Sequence, residues 1–183
     1  MVAVWELRCG SVNDFAMLVN IDDDDGDSGM FEARGVPADW MHRPAVEFLV
    51  DRKSKKQKPR ADVIAFVPGA LVLNEKAKAA LGPFLSRFGQ LLELHCCGEV
   101  LYFFNATNLV DCVDVERSEK RRSGSIAMEV FDESNVPQGA AVFKDSSTAP
   151  VRIYVNDGGR AEIERIVAAN GLTGIECGAP QRL

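Results

Sequence analysis

Two clusters in this sequence hold side chains able to ligate a metal, attack an electrophile or move a proton, and spacing limits both. His95-Cys96-Cys97 sets an imidazole beside two thiols. On an extended strand successive side chains point to opposite faces, so His95 and Cys97 share one side while Cys96 faces the other. A zinc site needs further ligands, and neither His42 nor Cys9, Cys112 and Cys177 stands at a spacing that supplies them. Thiol nucleophile chemistry needs a base and an orienting group brought together in space. The expectation is of core thiols beside a hairpin, with no catalytic residue, no metal and no cofactor. No H-E-x-x-H, phosphate-loop or Ser-His-Asp order occurs in the sequence.

The second cluster is the acidic run Asp22, Asp23, Asp24, Asp25 and Asp27. A calcium hand needs a glycine at the sixth place of its loop and an oxygen ligand at the first. Placing Gly26 sixth puts Ile21 first, which cannot ligate, and no amphipathic helix follows. Two readings stay open: a solvated loop of mutually repelling carboxylates, or a mimic of nucleic-acid phosphate that plugs the basic cleft of a partner. The opposite charge gathers in Arg52 to Arg60 and, mixed with acids, in Glu116 to Gly124. Neither run interleaves an aromatic ring for base stacking, so both are expected as mobile, solvated loops with no direct nucleic-acid contact. Trp40 and Met41 are candidate interface anchors, because aromatic and thioether side chains anchor interfaces, with Trp40 equally suited to the core.

The elements that must position these residues follow from periodicity. Val2 to Cys9 and Phe15 to Ile21 read as two strands paired with each other. Ala45 to Val50 reads as a third. Asp62 to Val67 hardly alternates, which predicts a buried central strand ended by Pro68-Gly69. Asn74 is a capping residue for a helix through Phe88, with Ala77, Leu81, Phe84, Leu85 and Phe88 on one face. Pro83 predicts a kink there, or two short helices. Leu91 to Cys96 and Glu99 to Asn105 flank Cys97-Gly98 as a hairpin. Ser125 to Phe131 and Val151 to Val155 add strands. Asn156 or Asp157 caps a second helix through Asn170, ended by Gly171, and Leu172 to Cys177 adds a last short strand. Many strands and two helical segments predict one α+β domain over residues 1–183 with a mostly antiparallel or mixed sheet.

Composition narrows the class. A chain of 183 residues that is 46% hydrophobic can bury a core without metal or disulfides. Its net charge of −6 argues against gripping phosphate backbones and favours a basic partner surface. Five cysteines without framework spacing fit a reduced, cytoplasmic protein. Neither a signal-like start nor a long apolar run is found, so export and membrane insertion are not expected.

Read in order, several segments resemble a family of bacterial immunity proteins encoded beside polymorphic and contact-dependent toxins, the eleventh such family catalogued. They are Val4-Trp-Glu-Leu7, Trp40-x-x-x-Pro44-x-Val46, Ala61-Asp-Val, Pro68-Gly, Val72-Leu-Asn-Glu-Lys-Ala77 to Leu81, Gly89-Gln-Leu-Leu-Glu-Leu94 and Gly98-Glu-Val-Leu-Tyr-Phe-Phe-Asn105. Val110-Asp-Cys-Val-Asp114, Ile153-Tyr-Val and Asn170-Gly-Leu-Thr-Gly-Ile175 continue the series. Asn74 stands where the family pattern has serine, an exchange of one capping residue for another. The resemblance implies a non-enzymatic protein that binds and neutralises a cognate toxin, by blocking its active site or an essential surface. The alternative is an enzyme or regulator of the same fold that reverses the toxin's modification. The charged loops lie outside the resemblance, and recognition tends to reside in such loops.

Overall fold

The computed structural model describes residues 3–10, 13–21, 28–50 and 56–180. The chain forms β1 (Val4–Cys9), β2 (Leu18–Asn20), β3 (Ala45–Phe48), β4 (Val63–Ile64), β5 (Leu71–Leu73), helix α1 (Glu75–Leu85), β6 (Gly89–Cys96) and β7 (Glu99–Ala106). It continues with β8 (Leu109–Val110), β9 (Glu119–Lys120), β10 (Ile126–Met128), β11 (Val142–Asp145), β12 (Ile153–Asn156), helix α2 (Asp157–Asn170) and β13 (Ile175–Pro180). Five strands make one sheet in the order β13-β1-β12-β11-β8, and six make another in the order β2-β3-β6-β7-β5-β4. Pairing is antiparallel except between β3 and β6 and between β8 and β11. The architecture is α+β with mixed sheets, as the sequence predicts.

The six-stranded sheet curls until its two edges meet. The Leu18 amide of β2 donates to the Ala65 carbonyl just past β4 (2.8 Å), and the Ala16 amide donates to the Pro59 carbonyl (2.9 Å). Leu18, Val46, Phe48, Ile64, Val72, Leu94, Leu101 and Phe103 point into this curl, at least one from each strand. The alternate residues Val63, Leu71, Leu73, Phe104 and Ala106 face outward, as period-two geometry requires. They pack against Ala77, Leu81 and Leu85 of α1, Ile163 and Ile166 of α2, and Leu7, Val142, Ile153 and Val155 of the five-stranded sheet. One shared core therefore joins both sheets and both helices. A smaller cluster, with Val4, Cys112, Phe131, Phe143 and Tyr154, covers the far side of the five-stranded sheet.

The helix ends follow the capping chemistry of the sequence. The Asn74 side chain accepts from the Ala77 amide (2.8 Å) and that of Asn156 from the Gly159 amide (2.9 Å). Gly171 closes α2 in the left-handed region at φ 56°. Pro83 neither kinks nor splits α1: it sits in the last turn, where few backbone bonds follow it. Among the described residues, no helix is long and apolar enough to cross a membrane.

Three further expectations change. The first two strands do not pair with each other: β1 lies between β12 and β13, and β2 pairs with β3 in the other sheet. Val63–Ile64 is an edge strand, not a central one, and its burial comes from the curl on one side and the helical core on the other. Glu116 to Gly124 is largely exposed as expected, yet its Glu119–Lys120 pairs with Ile126–Met128 to make a hairpin. Of the two other charged loops, Asp22 to Asp27 and residues 51–55 lie outside the described residues, and 56–60 are exposed.

Candidate partner-binding face

The segment from Met30 to Pro44 crosses the mouth of the curled sheet and is fastened along its length. From β6, the Gln90 side chain accepts from the Ala38 amide (2.8 Å) and donates to the Ala38 carbonyl (3.2 Å). From β7, the Asn105 amide group donates to the Val36 carbonyl (2.9 Å) and to Gln90 Oε1 (3.2 Å). The Pro44 carbonyl accepts from the His95 amide (2.9 Å), and Arg43 pairs with Glu93. A segment that has no regular structure beyond the 3-10 turn ending at Phe31 is thereby held as a shelf.

Trp40 is the keystone of that shelf. It is half-buried, its indole N–H donates to the Met30 carbonyl (3.1 Å), and its ring packs on Phe31 (5.6 Å between centroids) and Phe103 (5.3 Å). Offset and edge-on aromatic contacts at these distances stabilise beyond the area they bury. Its neighbour Met41 does the opposite: 93% of its surface is exposed, the most of any large apolar residue described. Beside it lies an open groove of about 460 Å³ lined by Trp40, Met41, His42, Arg43, Gln90 and Leu92. The groove offers a flexible thioether anchor rimmed by an imidazole, an amide and a paired guanidinium, which suits contact with another macromolecule.

The structure separates the residues of the other chemical cluster. His95 is exposed on β6 and Cys96 is buried, as strand alternation requires, but Cys97 is exposed in the turn, so the expectation of two core thiols holds only for Cys96. Cys97 adopts φ 50° and Gly98 φ 88°, the pairing of positive angles that a two-residue hairpin turn needs. Burial pushes the thiols of Cys9 and Cys112 up to about 12 and those of Cys96 and Cys177 up to about 11, which keeps them protonated and poor nucleophiles. Among the described residues, no group of three or more His, Cys, Asp or Glu side chains could hold a metal ion. The acidic candidates Asp22, Asp23, Asp24, Asp25 and Asp27 lie outside the described residues.

Sequence reasoning missed the residues that fasten the shelf. Gln90 and Asn105 read as ordinary polar positions of alternating strands. Lys144 lies on β11, which was not predicted at all, and its fully buried ammonium donates to the carbonyls of Ala33 (2.5 Å), Gly69 (2.6 Å) and Ala149 (2.6 Å). That bond to Ala33 ties the start of the shelf to the five-stranded sheet. The available signal was a lysine and an aspartate inside an otherwise strand-forming run, Val142-Phe-Lys-Asp145.

The fold and this face together define a small α+β protein in which a hydrogen-bonded segment presents the exposed Met41 side chain. No protein-family model matches the chain, and no curated protein matches its sequence.

Proposed function

We propose that this chain is a cytoplasmic immunity protein that binds a cognate bacterial toxin and blocks its active site or an essential surface. The observation that carries the reading is Met41, an almost fully exposed apolar side chain on a shelf pinned by Trp40, Gln90 and Asn105. An exposed hydrophobe on a pre-organised backbone lowers the ordering cost of binding, and a partner that covers it gains an anchor. The sequence resemblance supplies the kind of partner, and the net charge of −6 favours a basic surface on it. Full occlusion calls for an interface of about 1,600 Å².

The test is co-expression of the toxin domain encoded beside this chain, followed by titration of purified components. Rescue of growth with inhibition that saturates at one molecule per toxin supports blocking. Protection at far lower ratios points instead to a catalyst that undoes the toxin's product, and absence of rescue sinks the immunity reading.

A further inference from the structure

We infer that the β9–β10 hairpin is a basic finger that enters a carboxylate-lined pocket of the partner. Its tip carries Lys120, Arg121 and Arg122 in succession, all exposed. Most other described cations are engaged: Arg8 pairs with Glu176, Arg60 with Glu99, Lys76 with Asp62, Arg160 with Glu164 and Arg165 with Glu162, while Arg87 lies over the Phe84 and Phe88 rings and Lys144 donates to backbone carbonyls. In a chain with more acids than bases, three adjacent cations without such a partner among the described residues stand out.

The finger is also built to be presented. At its base, Ser118 is buried, donates from Oγ to the Asp114 carbonyl (2.6 Å) and accepts from the Val130 amide (3.0 Å). The Asp114 carboxylate accepts from the amides of Glu116 and Arg117, and Arg117 folds back to pair with it. At the tip, the Arg121 amide donates to the Ser125 carbonyl (2.8 Å) and the Gly124 amide to the Arg121 carbonyl (2.9 Å). A side chain added at Gly124 would meet nothing within 4 Å, so the turn projects into open space.

The partner's chemistry follows from the contrast between finger and body. A net charge of −6 repels a polyanion at long range, and Glu116 to Ser125 holds no aromatic ring to stack on bases. A protein surface that is basic around a carboxylate-lined centre complements both body and finger. That is the charge pattern of an enzyme that grips a nucleic acid and cleaves it with metal-held carboxylates.

The inference rests on the toxin-binding reading, and one experiment separates the two. Affinity for the neighbouring toxin domain is measured for the natural chain, for R121E/R122E, and for R87E/R165E, which makes the same charge change on the helical face. Thermal melts verify that each variant is folded. The expected result is a loss of at least about 30-fold for R121E/R122E and under about threefold for R87E/R165E. Equal losses in the two variants, or no loss, overturn the finger while leaving the immunity reading intact. No complex with the natural chain overturns both. A duplex or single-stranded oligonucleotide bound through Arg121 and Arg122, with toxin affinity unchanged in R121E/R122E, assigns the tip to nucleic acid and overturns the inference.

Discussion

The Gly69 carbonyl accepts a hydrogen bond from the buried Lys144 ammonium at 2.6 Å, and the contact exists because residue 69 has no side chain. Gly69 adopts φ +70°, and a Cβ there would lie 2.7 Å from the Pro150 carbonyl oxygen and 3.0 Å from Lys144 Nζ. Gly69→Ala is therefore expected to destabilise the protein by about 2 kcal/mol or more, combining left-handed strain with displacement of the ammonium. Urea unfolding measures it, and a midpoint within error of the natural chain counts against the clash.

Removing the ammonium tests the same hub from the other side. Lys144→Met leaves the carbonyls of Ala33, Gly69 and Ala149 without this donor, for an expected loss of about 3 kcal/mol. The pH dependence has a definite sign. Burial pushes Lys144 down from 10.5 to about 7. Between those values the unfolded chain holds a proton that the folded chain releases, so this group makes stability rise with pH from about 7 to 10.5 and contributes no slope below about 7, where both states hold the proton. The natural chain should gain stability relative to Lys144→Met across that window. Parallel pH profiles would show that the ammonium keeps its proton.

Glu129 is fully buried, pairs with Arg152, and accepts from the Tyr154 hydroxyl at 3.0 Å, which also bonds Thr148 at 2.8 Å. Arg152→Met strands a carboxylate in the interior and is expected to lose about 3–5 kcal/mol. Adding Glu129→Gln removes that stranded charge and keeps an acceptor for Tyr154, so the double variant should be more stable than Arg152→Met alone. Additive losses would mean that the two residues do not act as a pair.

The two asparagine caps differ in how much else they hold. Asn156 also accepts from the Ala141 amide (3.1 Å) and donates to the carbonyls of Pro137 (2.7 Å) and Gly139 (2.5 Å), whereas Asn74 adds one bond to Asp62 (3.0 Å). Asn74→Ala should cost about 1 kcal/mol, the ordinary value for a lost cap, and Asn74→Ser less. Asn156→Ala should cost about 3 kcal/mol, because several groups lose their partners together. Similar unfolding midpoints for the two alanine variants would refute this ranking.

Trp40 and Met41 are adjacent but should separate cleanly. Trp40→Ala is expected to lose about 3 kcal/mol of stability by emptying the space beside Phe31 and Phe103. Met41→Glu should leave stability within about 0.5 kcal/mol, since the side chain is 93% exposed, while weakening toxin binding at least tenfold. Unchanged binding by Met41→Glu would remove the shelf from the interface.

What was legible in the sequence was local. Asn74, Asn156 and Gly171 announce helix ends because capping is decided within four residues, and Cys97-Gly98 announces a two-residue turn for the same reason. What was illegible was pairing between distant segments. Nothing near Val4 says that its partners are Asn156 on one side and the β13 strand on the other, and turn chemistry made β2 the obvious neighbour. Leu71–Leu73 was hidden by its brevity before the Asn74 cap. Val142–Asp145 was hidden because Lys144 and Asp145 look like surface residues and are buried. Asp145 is satisfied there by the amides of Cys112 and Val113 (2.8 and 2.7 Å), donors more than thirty residues away. The candidate face shows the same division: Trp40 and Met41 were visible as types, but Gln90 and Asn105, which fasten the backbone before them at Ala38 and Val36, act through tertiary contacts alone.

The meeting of β2 with the segment after β4 has a consequence for how such a protein can diverge. A sheet whose ends are joined has no edge there at which another chain can add a strand, so new associations at this half of the molecule must form through side chains on its crossing segments. Changes of length or charge in those segments leave the ladder beneath them intact. On the proposed reading, recognition can then drift toward a new toxin by substitutions on the shelf, while the scaffold that presents it stays the same.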